Sequence, residues 1–250
     1  MSLFVRPVGV ARGTPLVLAH GFTQTGRLWG SLEALLARHR RLVAVDLPGH
    51  GESAGVRAGL VEAGVMVAEA AGERCDLLGY SLGARVALHA ALERPDLVRR
   101  LLLIGGTAGI DDPRARAERR ARDDATADEL ERSGDVAGFV RRWLAAPMWT
   151  GLPAGVLGAE ERGRNTAAGL ASSLRLAGTG TQDPLWRRLP HLAPPVLVLA
   201  GACDTRFTVA GERMARAARQ GALSLVPGAG HAAHLAQPAL TARLVERFCR

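Results

Sequence analysis

Ser81 lies in Gly79-Tyr80-Ser81-Leu82-Gly83, between the apolar run Asp76-Leu77-Leu78-Gly79 and a helical pattern from Ala84 to Leu92. A serine flanked by glycines at a strand–turn–helix junction projects its hydroxyl from a sharp turn, and the glycines relieve crowding there. A serine hydroxyl remains a weak nucleophile or base until a partner takes its proton. Of the seven histidines, His231 follows the last apolar run in Pro227-Gly228-Ala229-Gly230-His231, where a loop carries an imidazole toward a strand end. His234, one helical turn on, is the competitor. His20 and His50 occupy other strand-end turns and read as loop-shaping residues. His39, His89 and His191 read as surface or packing residues.

An imidazole acting as base needs an acid to fix its tautomer and stabilise its cation. Asp204 follows Val196-Leu197-Val198-Leu199-Ala200-Gly201 and has the right placement, with Asp111 or Asp112 as the alternative. Asp46 precedes the serine and reads as the organiser of the turn to Gly51. Developing negative charge on a substrate oxygen needs two backbone N–H groups. Leu82, directly after the serine, supplies one, and Phe22 in His20-Gly21-Phe22 is the candidate for the other. No cluster has metal-ligand spacing, and no glycine-rich loop has the phosphate-cradling pattern.

Those side chains must be held by a sheet. Short apolar runs at Leu16–Ala19, Leu42–Asp46, Asp76–Gly79, Leu101–Ile104, Val196–Ala200 and Leu223–Val226 alternate with helical patterns. That alternation predicts an α/β fold, a mostly parallel sheet with helices on both faces. From Asp111 to Trp186 no strand pattern occurs. A charged helix over Arg114–Arg132 is broken at Ser133-Gly134-Asp135. Helix resumes over Val136–Leu144 and again over Ala167–Leu176. The expected organisation is a core of residues 1–110 and 187–250, with a helical cap inserted over 111–186.

Composition narrows the partners. The 250 residues, 48% hydrophobic and 22% charged, suffice for one α/β domain. All 32 basic residues are arginine, and the net charge is +8. With 4% aromatic residues and no matching motif, that charge points away from nucleic acid. Arginine and alanine enrichment reads first as the mark of a GC-rich genome; the sharper alternative is that some of the arginines bind a small anionic carboxylate substrate, which guanidinium groups grip bidentately. Cys75, Cys203 and Cys249 show no disulfide framework and fit a reducing compartment. No run is long enough to span a membrane and no secretory h-region opens the chain, so a cytoplasmic location is expected.

Taken together, His20-Gly21-Phe22, Asp46 to Gly51, Gly79 to Gly83, Gly201 to Asp204 and Gly230-His231 resemble the α/β-hydrolase superfamily. The serine, acid, histidine chain order is the same. The stretch before Leu16 is short, so abbreviated opening antiparallel strands are expected. A narrower resemblance is to the 2-succinyl-6-hydroxy-2,4-cyclohexadiene-1-carboxylate synthases of menaquinone biosynthesis. It rests on Arg85 after the serine turn, Asp204-Thr205-Arg206-Phe207, Gly230 to His234, Trp143, Arg164-Asn165 and Gly178 to Gln182. This resemblance implies a cofactor-free lyase that eliminates pyruvate, with Ser81 as a base relayed through His231. It implies that Arg85, Arg164 and Arg120 clamp carboxylates and that Tyr80 and Trp143 line the pocket. The wider superfamily leaves open a carboxylic ester hydrolase or acyl-transfer enzyme using Ser81 as nucleophile, and a non-catalytic binding protein.

Overall fold

The structure, a computed structural model, describes residues 2–250; Met1, the first residue of the expected core segment, lies outside them. Seven strands form the sheet: β1 (Val5–Gly9), β2 (Leu16–Ala19), β3 (Arg41–Val45), β4 (Cys75–Tyr80), β5 (Val98–Ile104), β6 (Val196–Gly201) and β7 (Gly221–Val226). Their order is β1-β3-β2-β4-β5-β6-β7. Every pairing is parallel except that of β1 with β3. The central strands β2, β4 and β6 are buried throughout, which is why they read as continuous apolar runs. β1 is the abbreviated antiparallel opening. Its Val-Arg-Pro-Val-Gly sequence lacks a strand pattern and is tolerated because the strand lies at an edge, where proline withholds no inner ladder bond.

Helices α1 (Ser31–Ala37), α2 (Leu60–Glu69) and α3 (Leu82–Glu93) cover the first half of the sheet. Between β5 and β6 come α4 (Pro113–Ser133), α5 (Val136–Leu144), α6 (Ala154–Leu157), α7 (Ala159–Arg162) and α8 (Ala167–Ala177), with no strand among them. The chain ends with α9 (Thr205–Ala217), α10 (Ala233–Ala236) and α11 (Pro238–Phe248). One apolar layer packs α2 and α3 on one sheet face, and a second packs α1 and α11 on the other. Helices α4, α5 and α8 share a small apolar cluster of their own, including Leu130, Phe139 and Leu170. The expected break between α4 and α5 is a capping device. Gly134 closes α4 in the left-handed conformation, and Asp135 accepts from the Gly138 N–H at 2.7 Å. No helix among the described residues is long and apolar enough to cross a membrane.

The strand order reverses between β2 and β4. The chain leaves β2 toward β3 on one side and leaves β4 toward β5 on the other. Their carboxyl ends diverge into a crevice, the usual place for a ligand in such a sheet. His20–Phe22 follow β2 and Ser81 follows β4, so both arrive at this crevice.

Candidate active site

The turn after β4 is strained. Ser81 has φ 52° and ψ −106°, a conformation that disfavours any side chain and costs on the order of 1–3 kcal/mol. It is held there by its N–H, which donates to Ile104 O at 2.9 Å. A Cβ at Gly79 would strike the Gly83 backbone, and one at Gly83 would strike Ala19 O. The two glycines therefore let β4 and α3 meet at the serine.

The Ser81 Oγ lies 3.0 Å from His231 Nε2, and His231 Nδ1 lies 3.1 Å from Asp204 Oδ2. The other Asp204 oxygen accepts from Phe207 N–H at 3.3 Å in the first turn of α9. Burial alone would raise the Asp204 carboxyl. The hydrogen bonds from His231 and Phe207, with the charges of His231 and Arg206, hold it below its ordinary value. An ionised Asp204 fixes the proton on Nδ1 and leaves Nε2 free to accept from the serine. The imidazole packs at a tilt against Phe207, centroids 4.4 Å apart, and occupies space that a side chain at Gly105 would fill.

His234 does not reach the serine. It is buried between Tyr80 and Trp29, and burial pushes it down to about 3. Asp111 pairs with Arg213 at the surface, and Asp112 caps α4. Of the alternatives open in the sequence, the structure brings together Ser81, His231 and Asp204.

Phe22 and Leu82 border the same space as Ser81, and among the described residues neither backbone N–H donates to a protein acceptor. Two buried histidines brace the Phe22 loop. His20 Nδ1–H donates to Gly21 O at 2.8 Å while its Nε2 accepts from Leu47 N–H at 3.0 Å. His50 Nδ1–H donates to Pro48 O at 3.0 Å while its Nε2 accepts from Thr23 N–H at 3.3 Å. Each ring must stay neutral to accept, and burial lowers His20 to about 4 and His50 to about 3. Both lie below the ordinary 6.5, so the unfolded chain binds the extra protons. Stability is full above about pH 6.5 and falls as the pH drops toward 4, by on the order of 3 kcal/mol per ring. Urea melts at pH 7 and pH 5 are expected to show the loss, and substituting His50→Gln is expected to remove one ring's share of it.

A cavity of about 720 Å³ opens over Ser81, between the sheet end and the helices α4, α5 and α8. Trp143 lines it, edge-on to Phe22 with centroids 5.3 Å apart. Arg85 also lines it; its Nη1 donates to Ala177 O at 2.7 Å, and burial with the charge of Arg119 brings it down to about 9. Three expected pocket residues lie elsewhere. Arg120 points to solvent beside Asp124, and it is Arg119 that faces the cavity, paired to Asp123 at 2.9 Å. One residue on an α-helix turns a side chain by about 100°, so an error of one position exchanges wall for surface. Arg164 is exposed beside Glu161 at 3.2 Å, and the buried arginine of that segment is Arg162. Tyr80 is buried beneath the imidazole rather than lining the cavity, because strand alternation sends it with Leu78 to the face covered by α1 and α11.

Asn165 carries a role the sequence did not reveal. Its Nδ2 donates to Thr23 O at 2.7 Å and its Oδ1 accepts from Gly51 N–H at 2.9 Å, tying the inserted segment to the Phe22 loop. Arg119, Asp123 and Arg162 were likewise unmarked, since arginine-rich runs look alike until a helix phase is assigned.

A seven-stranded sheet with one antiparallel edge, a strained serine turn, and a matching family model over residues 16–244 decide the classification. The chain belongs to the alpha/beta hydrolase family. Among family members, the 2-succinyl-6-hydroxy-2,4-cyclohexadiene-1-carboxylate synthase of Serratia proteamaculans (strain 568) is 32% identical over 248 residues, covering 93% of this chain and 92% of that protein. The synthase of the same name from Pectobacterium atrosepticum is 33% identical over 251 residues, covering 93% and 92%. The solved structure of MenH from S. aureus superposes with a TM-score of 0.89 at 27% identity, covering 98% of this chain and 97% of that one.

Proposed function

We propose that this alpha/beta hydrolase family enzyme eliminates pyruvate from 2-succinyl-5-enolpyruvyl-6-hydroxy-3-cyclohexene-1-carboxylate, giving 2-succinyl-6-hydroxy-2,4-cyclohexadiene-1-carboxylate. The observation that carries this reading is the pairing of a serine–histidine–carboxylate relay with two arginines on one cavity wall system, Arg85 and Arg119. A neutral ester needs no such cations, whereas a substrate with several carboxylates does. The names of the synthases to which the chain is similar support the same reaction.

The relay acts as a base. His231 Nε2 draws the proton from Ser81, and the serine oxygen removes the proton on ring carbon 2, which the neighbouring succinyl carbonyl acidifies. Negative charge passes to that carbonyl oxygen, where the N–H groups of Phe22 and Leu82 receive it. Collapse of the enolate makes the bond between ring carbons 2 and 3 double and shifts the old double bond from carbons 3 and 4 to carbons 4 and 5. The carbon–oxygen bond to enolpyruvate breaks, and the departing group takes a proton and leaves as pyruvate. Asp204 stays ionised and stabilises the imidazolium between the two proton transfers.

Purified protein mixed with the intermediate is expected to release pyruvate in equal amount to the diene formed, followed by coupling to lactate dehydrogenase. Rapid turnover of simple esters, with none of the intermediate, would instead support acyl transfer through Ser81. That second reading uses the same relay and is marked by an acyl-enzyme trapped during turnover.

A further inference from the structure

Beneath the relay lies a group of polar atoms that no part of the mechanism uses. Arg162 is completely buried. Its Nε donates to Leu157 O at 2.7 Å, its Nη1 donates to Phe22 O at 3.4 Å and to the Thr23 hydroxyl, and its guanidinium stacks over Trp149 at 4.9 Å. Its Nη2 is buried with no partner. Burial lowers the group only to about 10, so it is a cation at neutral pH.

No carboxylate among the described residues pairs with it. The adjacent acid, Glu161, faces the other way, toward Arg27, Arg164 and the Thr25 hydroxyl. Tyr80 is not a hidden anion, because burial pushes its hydroxyl well above the ordinary value. The Tyr80 hydroxyl, both ring nitrogens of His234, and the indole N–H groups of Trp29 and Trp149 are also buried without partners. Tyr80 and His234 lie 4.4 Å apart by ring centroid, and Trp29 and His234 5.4 Å; Trp149, over which Arg162 stacks, belongs to the same buried cluster as Trp29 and Tyr80. The unmatched atoms are mostly donors, and the charge among them is positive. A buried cation without a counter-charge is strongly disfavoured, and buried donors are nearly always matched. Water would satisfy the donors but leave the charge standing.

We propose that Arg162, Tyr80 and His234 enclose a binding site for a small monovalent anion of the size of chloride or bromide. The site is separate from the substrate cavity, whose lining does not include these three residues. It lies one ring beyond the imidazole, Tyr80 and His231 being 5.4 Å apart. Through the Phe22 carbonyl it also abuts the loop that presents the oxyanion N–H. An anion here neutralises the guanidinium, leaving Arg162 to brace that loop as a paired ion.

Protein exchanged into sodium gluconate, with chloride or bromide added at constant ionic strength, is expected to show a saturable rise in Tm of several degrees. Arg162→Met is expected to abolish the response. If that variant does not fold, Tyr80→Phe keeps the ring and is expected to raise the halide concentration for half-saturation by about tenfold, as loss of a hydrogen bond to a charged group does. Crystals grown in bromide are expected to give an anomalous peak within hydrogen-bonding distance of Arg162 Nη2. A Tm that ignores halide, or bromide found only at the surface, overturns the proposal. Neither outcome bears on pyruvate release, so this inference and the proposed function stand or fall separately.

Discussion

Ser81→Ala is expected to lower kcat for pyruvate release by about a thousandfold or more, with KM changed by no more than about threefold. In the proposed reaction the serine oxygen meets the substrate proton, whereas the rest of the cavity lining is untouched by the substitution. His231→Ala is expected to cause a loss of similar size. The double variant is expected to be scarcely worse than either single one, because the 3.0 Å hydrogen bond makes them one functional unit. Single-turnover pyruvate assays measure all three, with Tm recorded for each to exclude unfolding. A Ser81→Ala enzyme within tenfold of the parent would remove the serine from the chemistry and leave His231 as the direct base.

The second large effect belongs to Arg85. Arg85→Met keeps the buried length of the side chain and removes its charge. It is expected to reduce kcat/KM for the carboxylate-bearing intermediate by about thirtyfold to a thousandfold, the range for truncating one partner of a buried charged pair. Turnover of a neutral ester, if any is detectable, should change far less. Arg119→Met should behave in the same way, because it faces the same cavity from α4. Arg120→Ala and Arg164→Ala serve as controls, each expected within about twofold, since both form exposed surface pairs. Equal losses on charged and neutral substrates would mean that Arg85 only supports α3 through its bond to Ala177.

The sequence disclosed features that depend on one dimension and concealed those that depend on helix phase. Strands β2 to β6 were legible because burial demands nearly unbroken apolar runs, and the half-exposed edge strand β7 was legible from the alternation of Leu223, Ser224 and Leu225 before Val226. The positions of Ser81, Asp204 and His231 were legible because each lies in the turn or short loop after such a run, close to glycine. β1 was hidden because an edge strand tolerates Pro7 and Gly9. The four-residue helices α6 and α7 were hidden because they are too short to show a period. Arg120 and Arg164 were named where Arg119 and Arg162 face inward, since neighbouring arginines differ only in direction. Tyr80 was placed in the pocket by the family resemblance, whereas its position on β4 sends it with Leu78 to the covered face of the sheet. The buried polar group around Arg162 had no linear signature, for its members come from five separate segments.

The dihedral angles at Ser81 bear on how such a protein changes over time. Glycine would adopt that backbone with little strain. A population of variants sifted only for heat resistance would therefore drift toward glycine at position 81 and lose its chemistry on the way. The hydroxyl persists there only while selection on turnover outweighs selection on folding. In an engineered lineage, the identity of this one residue records which of the two was being asked for.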